Sequence, residues 1–588
     1  MKKLIPDDAL ARATHLRRNN PLLPLLTRVA GIDRVNELYA QLEVHEGDDF
    51  IAAFFRQMEL EIVLNESHLK EIPASGPFIV ISNHPFGALD GLALLHVVRK
   101  VRPDFRMMAN FLLQQINPLQ DCFIGVNPFE NHRDRSSSHG GMKLALQHLS
   151  DGHGLGIFPA GEVSTLYKDL RKVADRQWQL SAIKLIRKAR VPVVPVYFDG
   201  SNSYLFHLIG KIHPGLRTLS LPAEMFRKKG TSIHLTIGHC ITPVETDVLS
   251  TAQSYGRYLR AKTYATGSAM EVRKSYFKII KKLKRTDPID PPVPAEQLAN
   301  EINILAACRV MRQDPFEVYI ISSRQAPLCL KEIGRLRELT FREIGEGTNR
   351  HTDLDEFDLY YDHLVLWDST EKKIAGAYRL GNGAEIIERY GLQGFYTHTL
   401  FRMHYRMKAI LRNSLELGRS FITPEYQKNR LPLFLLWKGI LHYLASKKDF
   451  RYIIGPVSIS NAYQDVSKSL ITQFIRQNYF DTHLSRYVQP RHEYRPKATR
   501  VDTGVLLEAA QHDIRRLDKM IAEIEPMHFN MPVLLKRYLQ QNARILAFNS
   551  DPKFNHALDG LMLLDIKDLP SDTVENLQRD MFPSTTGK

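Results

Sequence analysis

Ser82-Asn83-His84-Pro85-Phe86-Gly87-Ala88-Leu89-Asp90-Gly91 sets a His and an Asp just beyond an apolar stretch, Pro77 to Ser82, and ahead of a Leu-rich segment that opens at Gly91. The apolar run reads as a strand, Pro85 and Gly87 as a turn, and the Leu-rich segment as a helix. That order lets His84 and Asp90 meet across the turn. A His held by a carboxylate can take a proton from an alcohol at neutral pH. His84 therefore reads as a general base, with Asp90 orienting it and stabilising its protonated form. The bland alternative for so short a run is a buried His beside a helix cap.

Downstream lie Phe123-Ile124-Gly125-Val126-Asn127, Gly156-Ile157-Phe158-Pro159-Ala160-Gly161-Glu162-Val163-Ser164 and Val191-Pro192-Val193-Val194-Pro195-Val196. Together with Asn83-His84-x-x-x-x-Asp90, these motifs in this order resemble those of the glycerolipid acyltransferases, the family of the lysophosphatidic acid acyltransferases. The resemblance implies that an alcohol attacks a thioester directly, without a serine or cysteine intermediate. It places Asn83, Gly87, Gly161 and Glu162 in the substrate site, with backbone amides near Gly87 and Gly161 supporting the oxyanion and Glu162 shaping the acceptor site. The third motif departs from the family pattern, Phe-Pro-Glu-Gly followed within two residues by Arg. Here Ala160 replaces that Glu, Glu162 comes two positions later, and Val163 stands where the Arg would be. An Arg reads phosphate bidentately and a Val cannot. The acceptor is thus expected to carry no glycerol phosphate, although Lys143, Lys168, Arg171 or Lys172 could compensate.

At 588 residues and 44% hydrophobic, the chain is long enough for two or three domains. Its four cysteines, Cys122, Cys240, Cys308 and Cys329, form no C-x-x-C pair, which argues against structural disulfides and zinc. The start, Met1 to Asp8, has acidic residues and Pro where a signal peptide needs an apolar core, so a cytoplasmic protein is expected. No apolar segment reaches the roughly 18 to 20 residues needed to span a bilayer. Leu431 to Ala445 is broken by Lys438. In Asp49 to Ile62, Phe50, Ile51, Phe54, Phe55 and Met58 share a helical face. Both read as core helices, the second with a possible lipid-facing role. The net charge of +15 draws the chain to anionic surfaces, which implies a peripheral place at the inner face of the cytoplasmic membrane. The run Lys278, Lys281, Lys282, Lys284, Arg285 would suit phospholipid headgroups or the acidic face of acyl carrier protein, or be a solvated helix face. No nucleic-acid motif is present. His132, His139, His148 and His153 lack metal-ligand spacing, and neither metal nor cofactor is expected.

A helical region fills the first seventy or so residues, and strands and helices then alternate to about Thr242, as in an α/β layer domain. Ser254 to Arg285 reads as a basic amphipathic helix. Four prolines between Thr286 and Pro294 mark a stiff linker, giving domains at 1–285 and 295–582 around the linker 286–294. In the second half, helices are expected at Ala295 to Arg309 and Leu330 to Gly345. Strands are expected at His363 to Asp368, Lys373 to Leu380 and Glu416 to Thr423, followed by the helix from Leu431. A strand, a polar turn at Pro424 to Arg430 and a helix resemble the pantetheine-binding core of the GNAT N-acyltransferases, in which the helix N-terminus lies near a pantetheine phosphate. Asn429, Arg430 and Pro432 replace the usual glycine-rich loop, which favours acyl carrier protein over acyl-CoA as thioester donor.

A narrower resemblance is carried by Arg337-x-x-x-Phe341, by Asp355, Asp358 and Asp362, by Ala375 to Leu380, by Glu416-Leu417-Gly418-Arg419-Ser420 and by Met531 to Leu539. These resemble the branch of acyl-homoserine lactone synthases and ornithine N-acyltransferases. The two resemblances together imply a bifunctional ornithine lipid synthase: two α/β acyltransferase domains, the second adding a 3-hydroxyacyl chain to ornithine and the first acylating the hydroxyl of the lyso-ornithine lipid. An ammonium must lose a proton before it attacks a thioester, and Glu416 is the first candidate to take it. Arg379 and Arg419 would hold the amino-acid carboxylate or the carrier phosphate; Asp355 or Asp358 would attract a cationic amino acid. Rival readings are the same chemistry on glycine, lysine or glutamine, a single-activity lysophospholipid acyltransferase, and a non-catalytic membrane scaffold.

Overall fold

The computed structural model describes residues 27–110, 116–126, 135–167, 172–212, 214–268, 286–447, 449–497, 499–526 and 529–575, with Leu4 and Leu113. The chain divides into two compact units, Met1–Arg273 with Ala498–His528, and Lys274–Lys497 with Phe529–Lys588.

The first unit is built on β1 (Glu61–Val63), β2 (Phe78–Ser82), β3 (Arg106–Asn110), β4 (Phe123–Val126), β5 (Gly154–Ile157), β8 (Val193–Phe198) and β9 (Ser232–Ile237); β6 (Thr165–Tyr167) and β7 (Lys172–Ala174) form a separate hairpin. The sheet order is β1-β9-β8-β2-β5-β3-β4. Strand β2 lies inside the sheet, parallel to β5 and β8, and all its residues are buried. A strand covered on both faces has no polar side to alternate with, which is why this stretch is continuously apolar. Gly87 takes φ +88°, open to glycine and rarely to other residues. The helix Ala88–Val98 follows and buries Leu89, Leu92, Ala93 and Leu95. The helix Gly47–Gln57 buries Phe50, Ile51, Phe54 and Phe55 in the same core, together with Met58, so this apolar face is a core face. The helix expected at 254–285 is seen as Ala252–Thr266, with Tyr255, Tyr258 and Leu259 buried. The basic run from Lys278 to Arg285 lies outside the described residues, as do Lys168, Arg171 and His132.

The second part of this unit departs from the expected uninterrupted domain 295–582. Residues 498–528 supply the helices Thr503–Ala510 and Ile514–Ile524, which lie against Ala252–Thr266. Lys262, only 6% exposed, pairs with Glu523. Arg257 reaches Asp502 at 2.7 Å, and Arg500 donates to the Tyr197 hydroxyl at 2.7 Å. A buried ammonium is costly without a partner. Here the ammonium comes from one chain segment and its carboxylate from the other.

The second unit holds β10 (Arg309–Gln313), β11 (Phe316–Ser322), β12 (Asp362–Asp368), β13 (Lys373–Asn382), β15 (Ser414–Ile422), β16 (Tyr452–Ile459), β18 (Arg544–Asp551) and β19 (Ala557–Asp565) in the order β10-β11-β12-β13-β15-β16-β19-β18; β14 (Phe401–Met403) pairs with β17 (Val488–Pro490). Every pair in the large sheet is antiparallel except β15 with β16. That parallel ladder joins only Ser414, Leu415 and Glu416 to Tyr452, Ile453 and Ile454. Both strands continue, to Ile422 and Ile459, so the sheet splits beyond Glu416. The helix Leu431–Ser446 packs on β11, β12 and β13 and buries Leu435, Leu436 and Ile440. No helix among the described residues is long and apolar enough to cross a membrane. The Pro-rich 286–294 stretch lies along this unit: the N–H groups of Asp287 and Asp290 donate to Asn349 and His351, and that of Val293 to Glu332.

Candidate active sites

In the first unit Nδ1 of His84 lies 2.9 Å from Oδ2 of Asp90. The same oxygen accepts the N–H groups of Phe86 at 2.9 Å and Gly87 at 3.1 Å. Asp90 is fully buried; burial raises its carboxyl above the usual range, opposed by His84 and by the two amides. The imidazole stacks on Phe158 with centroids 4.0 Å apart. With Nδ1 facing Asp90, Nε2 is the ring nitrogen left for chemistry. Buried Asp175 fixes the loop, accepting from the His84 N–H at 3.1 Å, Ser164 Oγ at 2.5 Å and Trp178 Nε1 at 3.1 Å, while its own N–H donates to Tyr264 at 2.7 Å. The Ser164 N–H donates to the His84 carbonyl at 2.8 Å, so the first and third motifs are bound to each other.

Three expected substrate contacts have other occupations. Asn83 accepts from the N–H of Phe198 at 2.8 Å and donates to its carbonyl at 2.9 Å, so its amide fastens β2 to β8. The Gly87 N–H serves Asp90, and the Gly161 N–H donates to the Phe158 carbonyl at 3.0 Å. These two amides shape the turns, and neither is free for an oxyanion. At Gly161, φ is +68° and a Cβ would fall 2.1 Å from Gln179 Nε2, so glycine is required. Glu162 lies between two cations, Arg217 at 2.6 Å and Arg176 at 3.3 Å. Buried Val163 offers no charge, yet arginines from elsewhere in the chain stand beside its neighbour. Ala160, Glu162, Leu166, Arg176 and Gln179 line an open cavity of about 520 Å³.

In the second unit the expected residues gather around the split. Arg337 and Arg379 are fully buried: Arg337 meets Asp358 at 2.7 Å, and Arg379 meets Asp355 at 2.5 Å and Asp358 at 3.4 Å. Arg419 reaches Asp353 at 3.4 Å and Asp355 at 3.5 Å. Asp355 also caps the turn Glu356–Leu359, and Asp358 accepts from its N–H at 2.9 Å. Burial raises the Asp358 carboxyl, but Arg337 and Arg379 more than reverse this and hold it well below the usual range. Asp355 and Asp358 are therefore matched by arginines and have no charge left over for a cationic substrate. Phe341 packs on the neighbouring core. Glu416 is 1% exposed and accepts from the Tyr361 hydroxyl, the Tyr396 N–H at 3.1 Å and the Thr397 N–H at 2.7 Å. Burial raises its carboxyl, but both oxygens are occupied, which suits an anchor for the 395–397 turn better than a base open to substrate. Asn429 accepts from the Leu431 N–H at 2.9 Å and so caps the helix expected to meet a pantetheine phosphate.

Sequence reasoning missed Asp175, Arg217, Asp353, Tyr361 and Asp559. Each has at least one partner across a long separation that carries no local spacing signal.

Comparison with known proteins agrees with this division. A family model described as acyltransferase matches residues 7–272, and one described as acetyltransferase (GNAT) domain matches 336–437. A glycine N(alpha)-acyltransferase of Phocaeicola vulgatus is 28% identical over 277 residues, 45% of this chain and 83% of the relative. A lyso-glycine lipid O-acyltransferase of the same organism is 24% identical over 246 residues, 41% of this chain and 85% of that protein. An L-ornithine N(alpha)-acyltransferase of Brucella abortus is 27% identical over 248 residues, covering 39% and 76%. The chain is an enzyme that transfers acyl groups, of mixed α/β structure, with an acyltransferase domain and a GNAT-like domain.

Proposed function

We propose that the second unit N-acylates ornithine with a 3-hydroxyacyl chain from acyl carrier protein, and that the first unit O-acylates the hydroxyl of the resulting lyso-lipid, giving an ornithine lipid. The carrying observation is the loop between Phe158, which stacks on His84, and Ser164, which bonds to it: there Glu162 is flanked by Arg176 and Arg217. With two guanidiniums against one carboxylate this cluster keeps a positive charge, which suits the carboxylate of an amino-acid head group. In the O-acyl step, Nε2 of His84 takes the hydroxyl proton as the oxygen attacks the thioester carbonyl. Asp90 stabilises the imidazolium, which then protonates the departing thiolate. In the N-acyl step, the ammonium gives one proton to water, the neutral amine attacks the thioester carbonyl in the split beyond Glu416, and the departing thiolate takes the second proton, which the new amide sheds. The replaced glycine-rich loop favours a carrier protein as donor. The net charge of +15 and the exposed Tyr204, Leu205 and Leu208 on the helix Tyr204–Ile212 support work at an anionic membrane surface. Glycine as acceptor is the second reading, favoured by the likeness to glycine N(alpha)-acyltransferase.

The test is mass spectrometry of lipids from a bacterial host without aminolipids, with and without this chain. A new phosphorus-free lipid that releases ornithine on hydrolysis is expected, with its lyso form accumulating under His84→Ala. Release of glycine replaces the acceptor, and no new lipid overturns the reading.

A further inference from the structure

Three arginines of the second unit, buried Arg337 and Arg379 and part-buried Arg419, are matched by Asp358, Asp355 and Asp353. Three carboxylates of the same unit form no ion pair among the described residues. Asp559 stands on β19 opposite Ser458 of β16, past the point where β15 and β16 part. It is 4% exposed, and one oxygen accepts from Ser458 Oγ at 2.7 Å. Its other oxygen, Oδ2, is buried without a hydrogen-bond partner. Asp551, 3% exposed, caps the turn Pro552–Phe554 at the end of β18, and Phe554 of that turn lies 4.5 Å beneath the Arg419 guanidinium. Glu346, in the loop after the helix Pro327–Glu343, is near enough for its charge to act on Asp559. Burial raises the Asp559 carboxyl to about 7, with Asp551 and Glu346 pushing it up further against the pull of Ser458 and Arg419; burial likewise raises Glu346 to about 7, against Ser460.

An empty, deeply buried carboxylate oxygen among other carboxylates is a place that lacks a cation. The cluster would hold an ammonium in its protonated form, and a protonated amine cannot attack a thioester. It therefore suits the amine of the acceptor that does not react. We infer that Asp559, with Glu346 and Asp551, binds the side-chain ammonium of a diamino acid acceptor and sets the specificity of the N-acyl site for such acceptors over glycine. The inference rests on the N-acyltransfer reading above, and it moves the acceptor's cation from the expected Asp355 and Asp358 to carboxylates that no arginine matches.

The full-length protein is assayed for acyl transfer from a 3-hydroxyacyl thioester of acyl carrier protein to ornithine, norvaline and glycine. Norvaline has the ornithine skeleton without the side-chain amine. The wild type is expected to prefer ornithine to norvaline by about tenfold or more in kcat/KM, as one charged hydrogen bond allows. Asp559→Asn is expected to raise KM for ornithine by about tenfold or more while leaving kcat, and the use of norvaline, near the wild-type values. Glu346→Gln, which leaves the strands untouched, is expected to shift KM in the same direction and serves if the strand variant misfolds. Equal use of glycine, norvaline and ornithine by the wild type overturns the inference and leaves the N-acyl reading standing. A fall in kcat on every acceptor in folded Asp559→Asn also overturns it. If no amino acid is acylated, the N-acyl reading falls with it.

Discussion

His84 is part-buried and Glu416 fully buried, and their surroundings differ. Among the described residues Nε2 of His84 has no partner, whereas the Glu416 carboxylate is filled by Tyr361, Tyr396 and Thr397. Asp90→Asn is expected to lower kcat for O-acylation by about 10²- to 10⁴-fold and to leave N-acylation unchanged, as measured on the two acceptors separately. Glu416→Gln turns one of its two acceptor oxygens into a donor that faces the Thr397 N–H, or the Tyr361 hydroxyl and Tyr396 N–H, and is expected to cost about 1 to 3 kcal/mol. A fall in melting temperature shows the anchor; an unchanged melting temperature with a collapsed kcat shows a base. Asp559 and Glu346 make a third prediction. Their folded values, about 7, lie above those of the unfolded chain, so the native state binds more protons between about pH 4 and 7. Their contribution to stability is complete at the acid end and is lost as pH rises through 7. The melting temperature of the second unit is expected to fall between pH 5 and 8, and to fall less in Asp559→Asn.

At the scale of elements, strand β2, its turn and the following helix were legible because burial on both faces leaves a continuous apolar run and the turn demands glycine. The strand pair β12 and β13 and the helix from Leu431 were legible for the same kind of reason. The limits of reading lay in partnership. Nothing in Glu523 names Lys262, and nothing in the amphipathic helices 503–510 and 514–524 says which unit they complete. Glu523→Gln is expected to remove about 3 kcal/mol from the first unit by leaving a buried ammonium unpaired, read as earlier loss of O-acyl transfer on heating. Likewise His84 and Asp90 stand six residues apart and were paired by inspection, whereas Asp175 anchors His84 from another motif.

For the whole molecule, the expected linker 286–294 lies within the second unit, which begins at Lys274, and the first unit is closed by residues 498–528. A chain stopped at residue 285 lacks the helices that cover Ala252–Thr266 and the carboxylate that Lys262 needs. Such a truncation is expected to lose O-acylation of supplied lyso-lipid, and the assay of that single step checks it.

The discontinuity of the first unit also sets an order of events during synthesis. Its N-terminal part leaves the ribosome early, but the segment that completes it appears only after residues 274–497 have been made, which at typical bacterial speeds takes roughly 10 to 45 s. Over that interval the N-terminal part waits with Lys262 unpaired, a target for chaperones and proteases. A message cut short anywhere before residue 498 therefore yields neither unit complete, and the first unit closes only some sixty residues before the second.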